Sequence, residues 1–351
     1  MMFKFIGAIV SSFFISWILT PFIRNFFVTK GWIENPVEKQ RKTQNATATT
    51  AVPRGGGIPV FFGIIFSSLL FLPLDKHLLF ILLAAVFTLI VGIVDDIKDV
   101  SPKTRLATNI LASLLVVSSG IGIAYISNPL GGIFDLSTIK INFDLFGPRS
   151  IWVISDLLAI FWIVWCMNSV GWAAGVEGQL PGFVGISAIF IGILGLRFAT
   201  DTTQWPVIIL SGAVAGSYFG FLPFNYPPQS IMPGYSGKSL AGFFLAVLSI
   251  LSGAKLATLI FLLGIPMLDG IYVLIRRIIN HRPIFISDGT HFHHQLLRLG
   301  WSRQKISIFY WSISLFLGVI SLFLNSQQKL YVFLGLTLLF FGLVIQLSRH
   351  T

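Results

Sequence analysis

Charged residues are scarce in this sequence, and cysteine is almost absent. Asp, Glu, Lys and Arg together make up 11% of the 351 residues, whereas 55% are hydrophobic. Because so few charges cannot cover the surface of water-soluble domains of this total size, soluble protein classes are excluded. The single cysteine, Cys166, excludes a disulfide framework and a thiol-based zinc site.

Long polar stretches are also missing, so we expect residues 1–351 to form a single membrane domain. A helix needs about 20 apolar residues to cross the hydrocarbon core of a bilayer. The sequence predicts an all-α polytopic protein with about eleven transmembrane helices, or ten if 239–275 is one broken span. The predicted spans are 3–23, 56–73, 77–95, 106–126, 151–168, 181–198, 205–223, 239–252, 255–275, 304–324 and 330–348.

The basic residues divide unequally between the two sides of such a bundle. Of the 24 Lys and Arg residues, 17 lie in one alternating set of connections and 7 in the other. By the positive-inside rule the first set is cytoplasmic, which places the N-terminus outside and the C-terminus inside. This set comprises residues 24–55, 95–105, 169–180, 224–238, 276–305 and the C-terminal tail. The segment 127–150 becomes a small external loop, and its alternating apolar pattern allows a β-hairpin.

The formal net charge of +11 raises the question of a nucleic-acid partner. The basic residues lie between apolar stretches and not along one polar face, so the pattern favours membrane topology together with an anionic substrate. We expect the lipid bilayer as a partner and no nucleic acid.

Adjacent carboxylates, Asp95 and Asp96, stand where the third predicted span leaves the membrane. Two like charges at a membrane edge imply a cation, a cationic partner or a shared proton. A helix end with solvated charges is the plainer alternative. Ser101 and Pro102 predict the N-cap and first turn of the next helix, which brings Lys103 close to the carboxylates.

A histidine cluster lies in the predicted loop 276–305. His291, His293 and His294 are three of the six histidines in the chain. Imidazoles could bind a metal or hold a diphosphate, and the arginines of this loop (Arg277, Arg282 and Arg298) favour phosphate. The alternative is a helix cap at Asp288 with incidental histidines.

Two further polar segments are weaker signals. Glycines at Arg54-Gly55-Gly56-Gly57 allow backbone N–H groups to approach a ligand at a helix N-terminus, although glycine at a span start equally indicates close helix packing. Glu177, in a glycine-rich connection that begins at Asn168, is a candidate metal ligand or base, or a solvated acid.

Together these motifs resemble the polyprenyl-phosphate N-acetylhexosamine-1-phosphate transferase family. The resemblance covers essentially the whole chain, from about residue 30 to residue 305. It rests on Pro53-Arg54-Gly-Gly-Gly, Asp95-Asp96 followed by Ser-Pro-Lys, Pro266-Met-Leu-Asp269, and His291-Phe-His293-His294-Gln-Leu-Leu. The histidine motif is more similar to the branch that uses UDP-N-acetylglucosamine than to the muramoyl-pentapeptide branch.

The resemblance implies transfer of a sugar-1-phosphate from a UDP-sugar to polyprenyl (undecaprenyl) phosphate, with magnesium and with release of UMP. The product is a lipid intermediate of cell-wall or surface-polysaccharide synthesis. A multi-pass protein of the plasma membrane with its active site facing the cytoplasm is expected, and a homodimer is left open.

The resemblance also implies the site residues. It assigns Asp95 and Asp96 to the lipid-phosphate acceptor and its activation, and the three histidines to the diphosphate. The expected metal ligands are Glu177 and Asp95. Substrate-binding residues are expected at Arg54, Gly55, Gly56, Lys103, Asn168, Lys238, Asp288 and Arg298.

Two segments depart from the family pattern. Where the family has Asn-x-x-Asn-x-x-Asp-Gly-x-Asp-Gly, this chain keeps Asn168 but has Gly171, Ala174 and Glu177. Where the family has a magnesium-binding Asp in Gly-Asp-Ser/Thr-Gly-Ser, this chain has Tyr235. Tyrosine is a poor magnesium ligand, and we expect Lys238 to replace part of the lost positive charge.

These replacements leave a second class open, a non-catalytic relative that binds lipid phosphate or nucleotide sugar as a regulator or scaffold. A third class, a secondary transporter, is disfavoured because few charges lie inside the spans and no inverted repeat is evident.

Overall fold

Helices dominate the computed structural model, which describes residues 1–36, 51–128, 131–144, 148–252, 256–283 and 289–350. The helices are α1 Met2–Thr29, α2 Gly57–Phe71, α3 Lys76–Lys98, α4 Pro102–Ser118, α5 Val153–Trp172, α6 Gln179–Leu196, α7 Trp205–Asn225, α8 Gly234–Leu251, α9 Leu256–Leu262, α10 Gly264–Ile279, α11 Phe292–Arg298, α12 Arg303–Phe323 and α13 Ser326–His350.

The all-α polytopic prediction is confirmed. Within the described residues, eight helices are long and apolar enough to cross a membrane, namely α1, α3, α5, α6, α7, α8, α12 and α13. The pair α9 and α10 passes the same criterion together but bends by 83°. Each of the eleven predicted spans falls on one of these helices, on α2, or on α4. The count of eleven and the orientation of the termini stay predictions.

The break in the helical path lies inside the ninth predicted span. Leu263 separates α9 from α10, and Gly264 and Pro266 follow it in the first turn of α10. Proline is tolerated there because its missing N–H would have no partner in that turn. The alternative of one broken span over 239–275 is replaced by a separate α8 and a bent pair after it.

The core of the bundle is formed by α6, α7 and α8, whose apolar stretches are 78%, 78% and 83% buried. Small residues let α7 approach α1 closely: a Cβ at Gly216 or Gly220 would overlap the carbonyl of Ile9 or Phe13. Such contacts replace the hydrophobic driving force that is missing between helices in lipid. Large exposed apolar side chains cover the outer helices, among them Phe3, Leu70, Phe323 and Leu338.

Three short antiparallel strand pairs complete the described fold. β1 (Ile33–Glu34) pairs with β2 (Val52–Pro53). In and beside the segment 127–150, β3 (Tyr125–Ser127) pairs with β4 (Ile133–Asp135), and β5 (Lys140–Asp144) pairs with β6 (Pro148–Trp152). This segment therefore holds two strand pairs, where the sequence suggested one hairpin.

The connections that were predicted to be cytoplasmic gather at one end of the bundle. Gly56 N–H donates to Met232 O at 3.0 Å, and Gly178 N–H donates to Asn225 Oδ1 at 3.0 Å. Ser307 Oγ donates to Glu177 O at 2.5 Å. These contacts join the start of α2, the connections 169–180 and 224–238, and the start of α12, so the polar side chains of these segments share one region.

Candidate functional site

The two adjacent carboxylates at the end of α3 have different partners. Successive residues of an α-helix point about 100° apart, so Asp95 and Asp96 cannot face the same neighbour. Both are buried, with 1% and 6% of their surface exposed. The helix ends immediately after them, where Asp99 adopts a left-handed conformation (φ 51°) and donates its N–H to Asp95 O at 2.8 Å.

Asp96 caps the N-terminus of α8. Its Oδ1 accepts from Tyr235 N–H at 2.5 Å, and its Oδ2 accepts from Ser236 Oγ at 2.6 Å and Ser236 N–H at 3.3 Å. A helix N-terminus carries unpaired donors and a partial positive charge, which suits a carboxylate. Gly234 has φ +67°, and a Cβ there would overlap this carboxylate. Asp96 therefore fixes α8 against α3.

Asp95 holds a guanidinium. Arg105 donates from Nε to Asp95 Oδ1 at 2.5 Å and from Nη2 to Oδ2 at 3.0 Å, and Val100 N–H adds a third bond at 3.2 Å. The same guanidinium lies 3.8 Å from Asp99 and 4.9 Å from the ring centroid of Tyr235. Such a two-pronged pair fixes both side chains.

Arg54 extends this network of charges. It pairs with Glu34 and donates from Nη1 to Asp99 Oδ1 at 2.8 Å. Burial alone would lower the pKa of Arg54, but the carboxylates of Glu34 and Asp99 outweigh it and raise the pKa. Lys103, which was expected close to the carboxylates, is exposed in the first turn of α4, and its role stays a prediction.

The glycines after Arg54 serve packing in the described structure. A Cβ at Gly55 would overlap the ring of Phe27. Gly56 N–H donates to Met232 O at 3.0 Å, and the approach of these glycine N–H groups to a ligand stays a prediction. The alternative reading of the glycines, close approach between helices, describes both positions.

The histidine cluster is anchored by Asp269 of α10. Asp269 Oδ2 lies 2.9 Å from His291 Nδ1, and Oδ1 accepts from Phe292 N–H at 2.8 Å. The carboxylate thus caps α11 and orients the first histidine. Asp269 is only 1% exposed. Asp269 was missing from the predicted site residues. The sequence signal that could have found it is a carboxylate inside an apolar segment, because such a placement costs free energy unless the group has partners.

His293 is the most buried histidine of the cluster, with 2% exposed. Its ring stacks on the ring of His291 with 5.8 Å between the ring centroids, and its centroid lies 4.3 Å from that of the His294 ring. Burial, and then the neighbouring His294, His291 and Lys238, lower the pKa of His293 well below its usual value, so the imidazole is neutral at physiological pH. Among the described residues its Nδ1 has no hydrogen-bond partner.

The first turn of α8 connects the carboxylates with the histidines. Tyr235 and Ser236 bind Asp96, whereas Lys238, three residues after Tyr235, acts electrostatically on His293. Lys238 also lies next to Gly171 at the end of α5. Three residues of helix span about 4.5 Å. The structure therefore brings the two predicted clusters to the same end of the bundle.

The remaining predicted residues have local partners. Asn168 Nδ2 donates to Val164 O at 2.7 Å within its own helix, and Arg298 donates to Gly289 O at 3.2 Å. Burial raises the pKa of Glu177, and nearby Arg303 opposes this shift. Asp288 lies outside the described residues. The predicted N-cap is present, because Ser101 Oγ accepts from Thr104 N–H at 3.2 Å.

Arginines in the last turn of α10 and just after it line a pocket. It is lined by Arg276, Arg277, Asn280 and Arg282, and therefore attracts anions. Arg277 and Arg282 were expected to surround the histidines. The structure places them together with Arg276 at the C-terminal end of α10.

The predicted metal ligands do not form a metal site in the part of the chain that the structure describes, where no group of three or more His, Cys, Asp or Glu side chains is arranged to hold an ion. Asp95 accepts from Arg105, whereas Glu177 lies beside Arg303. Tyr235 donates its hydroxyl to Asn109 Oδ1 at 3.1 Å. Magnesium requires near-octahedral oxygen ligation. In this arrangement these side chains do not fit it, and the assignment of Glu177 and Asp95 as metal ligands stays a prediction.

Comparison with known proteins identifies the family. Residues 78–253 match the model of "Glycosyl transferase family 4". The chain belongs to this family. It is 26% identical over 348 residues to the "Probable undecaprenyl-phosphate N-acetylglucosaminyl 1-phosphate transferase" of Bacillus subtilis, covering 97% of this chain and 89% of that protein.

Two other relatives carry related names. The chain is 26% identical over 322 residues to the "Decaprenyl-phosphate N-acetylglucosaminephosphotransferase" of Mycobacterium leprae, covering 82% of this chain and 77% of that protein. It is also 26% identical over 339 residues to the "Phospho-N-acetylmuramoyl-pentapeptide-transferase" of Bacillus pumilus, covering 92% and 97%. Membership in this glycosyl transferase family confirms the predicted resemblance and is consistent with a dependence on divalent metal.

Proposed function

We propose that this glycosyl transferase family 4 member transfers a sugar-1-phosphate, of the N-acetylhexosamine type, from a UDP-sugar to polyprenyl phosphate and releases UMP. The observation that carries the proposal is the junction at α8, where one helical turn binds Asp96 and also carries Lys238, whose charge acts on His293 of the histidine cluster. Relatives along nearly the full chain, named for undecaprenyl- or decaprenyl-phosphate N-acetylglucosamine phosphotransfer, support it.

The proposed transfer reaction requires positive charge that is spread over several groups around the phosphates. A phosphate oxygen of the acceptor attacks the β-phosphorus of the donor, and the bond from that phosphorus to the bridging oxygen breaks. UMP leaves with the electron pair of this bond, and the new lipid diphosphate keeps the sugar. Several anionic oxygens meet in one place, so cationic groups and N–H donors are the main catalytic requirement.

The described residues meet this requirement from two directions. On one side Lys238 acts electrostatically on the neutral His293, whose Nδ1 has no partner among the described residues and can donate to a substrate oxygen when it carries the proton of the ring. On the other side Arg105 and Arg54 balance the carboxylates Asp95 and Asp99. We assign the histidine side to the diphosphate and the Asp95 side to the lipid phosphate.

The proposal also includes the side of the membrane on which the active site lies. The active site faces the cytoplasm of a bacterial plasma membrane, because the connections around it are those with most Lys and Arg. The product serves as a lipid intermediate of cell-wall or surface-polysaccharide synthesis.

The experiment is an assay of the purified protein with UDP-N-acetylglucosamine and undecaprenyl phosphate, in which UMP and the lipid product are quantified. UMP formation that requires the acceptor, and that falls at least about tenfold in Asp95→Asn, supports the proposal, since a tenfold change corresponds to about 1.4 kcal/mol. Asp75→Asn is the matched control at the opposite end of α3, where Asp75 caps the helix through Leu78 N–H.

Other outcomes contradict the proposal in different ways. Release of UDP in place of UMP shows transfer of the sugar without its phosphate. Binding of the donor without any UMP indicates the non-catalytic alternative, which the comparisons do not favour.

A further inference from the structure

The guanidinium of Arg105 lies within the carboxylate cluster, which consists of Asp95, Asp96 and Asp99 at the end of α3. Arg105 donates two hydrogen bonds to Asp95, at 2.5 and 3.0 Å, and approaches Asp99 to 3.8 Å. Asp95 has only 2% of its side chain exposed, so Arg105 neutralises a carboxylate that has little contact with water. A second cation at Asp95 would have to displace a two-pronged, charge-assisted pair.

Tyr235 is oriented to support this guanidinium. Its ring centroid lies 4.9 Å from Arg105 Cζ, within the range of a cation–π contact. Its hydroxyl donates to Asn109 Oδ1 at 3.1 Å, and its N–H donates to Asp96 at 2.5 Å, so the ring is held from both ends. An aromatic ring favours a guanidinium at this place, whereas a divalent cation needs oxygen ligands.

Three other carboxylate oxygens of the cluster are also engaged. Both oxygens of Asp96 accept from the first turn of α8. Asp99 accepts from Arg54 at 2.8 Å. The acidic groups thus bind protein cations or backbone donors, which is the reason that the described residues do not fit a divalent ion.

We propose that the transfer reaction inferred above proceeds without a protein-bound divalent metal, and that the guanidinium of Arg105, held by Asp95 and Tyr235 and 32% exposed, binds the acceptor phosphate in place of a metal ion. The inference rests on the proposed function. Arg105 stays protonated throughout, and the bonds made and broken are those of the uncatalysed phosphoryl transfer, so no additional reactant is needed.

The first measurement is UMP release by chelator-treated protein in excess EDTA. We expect wild-type activity to stay within about threefold of that with added Mg²⁺, because a protein cation already balances the charge. We expect Arg105→Gln to lose at least about 50-fold and Arg105→Lys at least about tenfold, since lysine cannot form the two-pronged contact. Lys98→Gln is the matched control, because Lys98 is an exposed cation near the end of α3.

A rescue experiment separates the charge of Arg105 from a merely structural role. Added Mg²⁺ should restore part of the activity of Arg105→Gln, which leaves Asp95 without its guanidinium, and should not raise wild-type activity. A loss that Mg²⁺ does not change, or full activity of Arg105→Gln in EDTA, overturns the inference.

A second readout does not depend on turnover. Electron paramagnetic resonance with Mn²⁺ and UDP should show no more bound ion with wild-type protein than with UDP alone. One Mn²⁺ held per chain, or wild-type activity that EDTA abolishes and Mg²⁺ restores, overturns the inference and leaves the transferase proposal intact. Absence of UMP under every metal condition overturns the transferase proposal itself.

Discussion

The substitution Asp269→Asn tests whether the orientation of His291 matters for catalysis. Asp269 is buried, and its two oxygens bind different partners, Phe292 N–H at 2.8 Å and His291 Nδ1 at 2.9 Å. An ionised carboxylate only accepts hydrogen bonds, so Nδ1 carries the proton. An amide keeps one accepting oxygen for Phe292 but presents N–H donors in place of the second oxygen, which opposes this tautomer of His291.

The size of the effect follows from the bond that is lost. A hydrogen bond to a charged group contributes about 1.5–3 kcal/mol. If the histidine acts on the transferred group, kcat/KM should fall about 10- to 150-fold, because each 1.36 kcal/mol is a factor of ten. The free energy of unfolding should fall by up to about the same 1.5–3 kcal/mol, because the bond to His291 is already present in the free protein, although Asn still caps α11.

The assay is UMP release under saturating acceptor, together with thermal unfolding in detergent. Asp75→Asn is the control, because Asp75 makes a comparable helix-capping bond to Leu78 N–H at 2.7 Å without contacting a histidine. We expect it to retain wild-type activity. Unchanged kcat/KM in a folded Asp269→Asn protein refutes the reasoning.

Three other substitutions test separate parts of the site. Gly175→Ala should lower activity at least about tenfold in the UMP assay, because a Cβ at this position would overlap the His293 ring. Gly171→Ala is the control and should be tolerated, since a Cβ at Gly171 lies an ordinary 3.9 Å from Lys238. Equal activity of the two variants contradicts this prediction. Asp96→Ala should lower the free energy of unfolding by about 2–4 kcal/mol, because α8 loses its cap, and an unchanged thermal midpoint argues against that role. Because the pKa of His293 is lowered in the folded protein, below a pH of about 6.5 the unfolded chain binds a proton at this residue that the folded protein does not bind. The free energy of unfolding therefore falls as the pH decreases below this value, by at most about 1.4 kcal/mol per pH unit. His293→Gln should flatten this dependence in thermal unfolding measured from pH 7.5 to pH 5, and an unchanged slope counts against a buried neutral His293.

Local signals in the sequence predicted the helices and their sidedness. Apolar run length located each span, and Ser101 with Pro102 located the start of α4, since these depend on residues close together in the chain. The unequal distribution of Lys and Arg placed Asp95 and the histidines among connections that the structure joins at one end. Long-range pairing was not needed for these predictions.

Partners distant in sequence were not predictable in this way. Asp96 caps a helix that begins 138 residues later, and Asp269 binds His291 across 22 residues. Asp95 and Asp96 look equivalent in the sequence, yet one holds Arg105 and the other α8.

The central claim is tested most directly by an experimental structure with UDP-N-acetylglucosamine bound. The account predicts that the diphosphate lies against the first turn of α8, within hydrogen-bond distance of Lys238 and the histidine cluster, with its β-phosphorus open toward Asp95 and Arg105. A diphosphate bound only in the pocket of Arg276, Arg277 and Arg282, with α8 untouched, would contradict it.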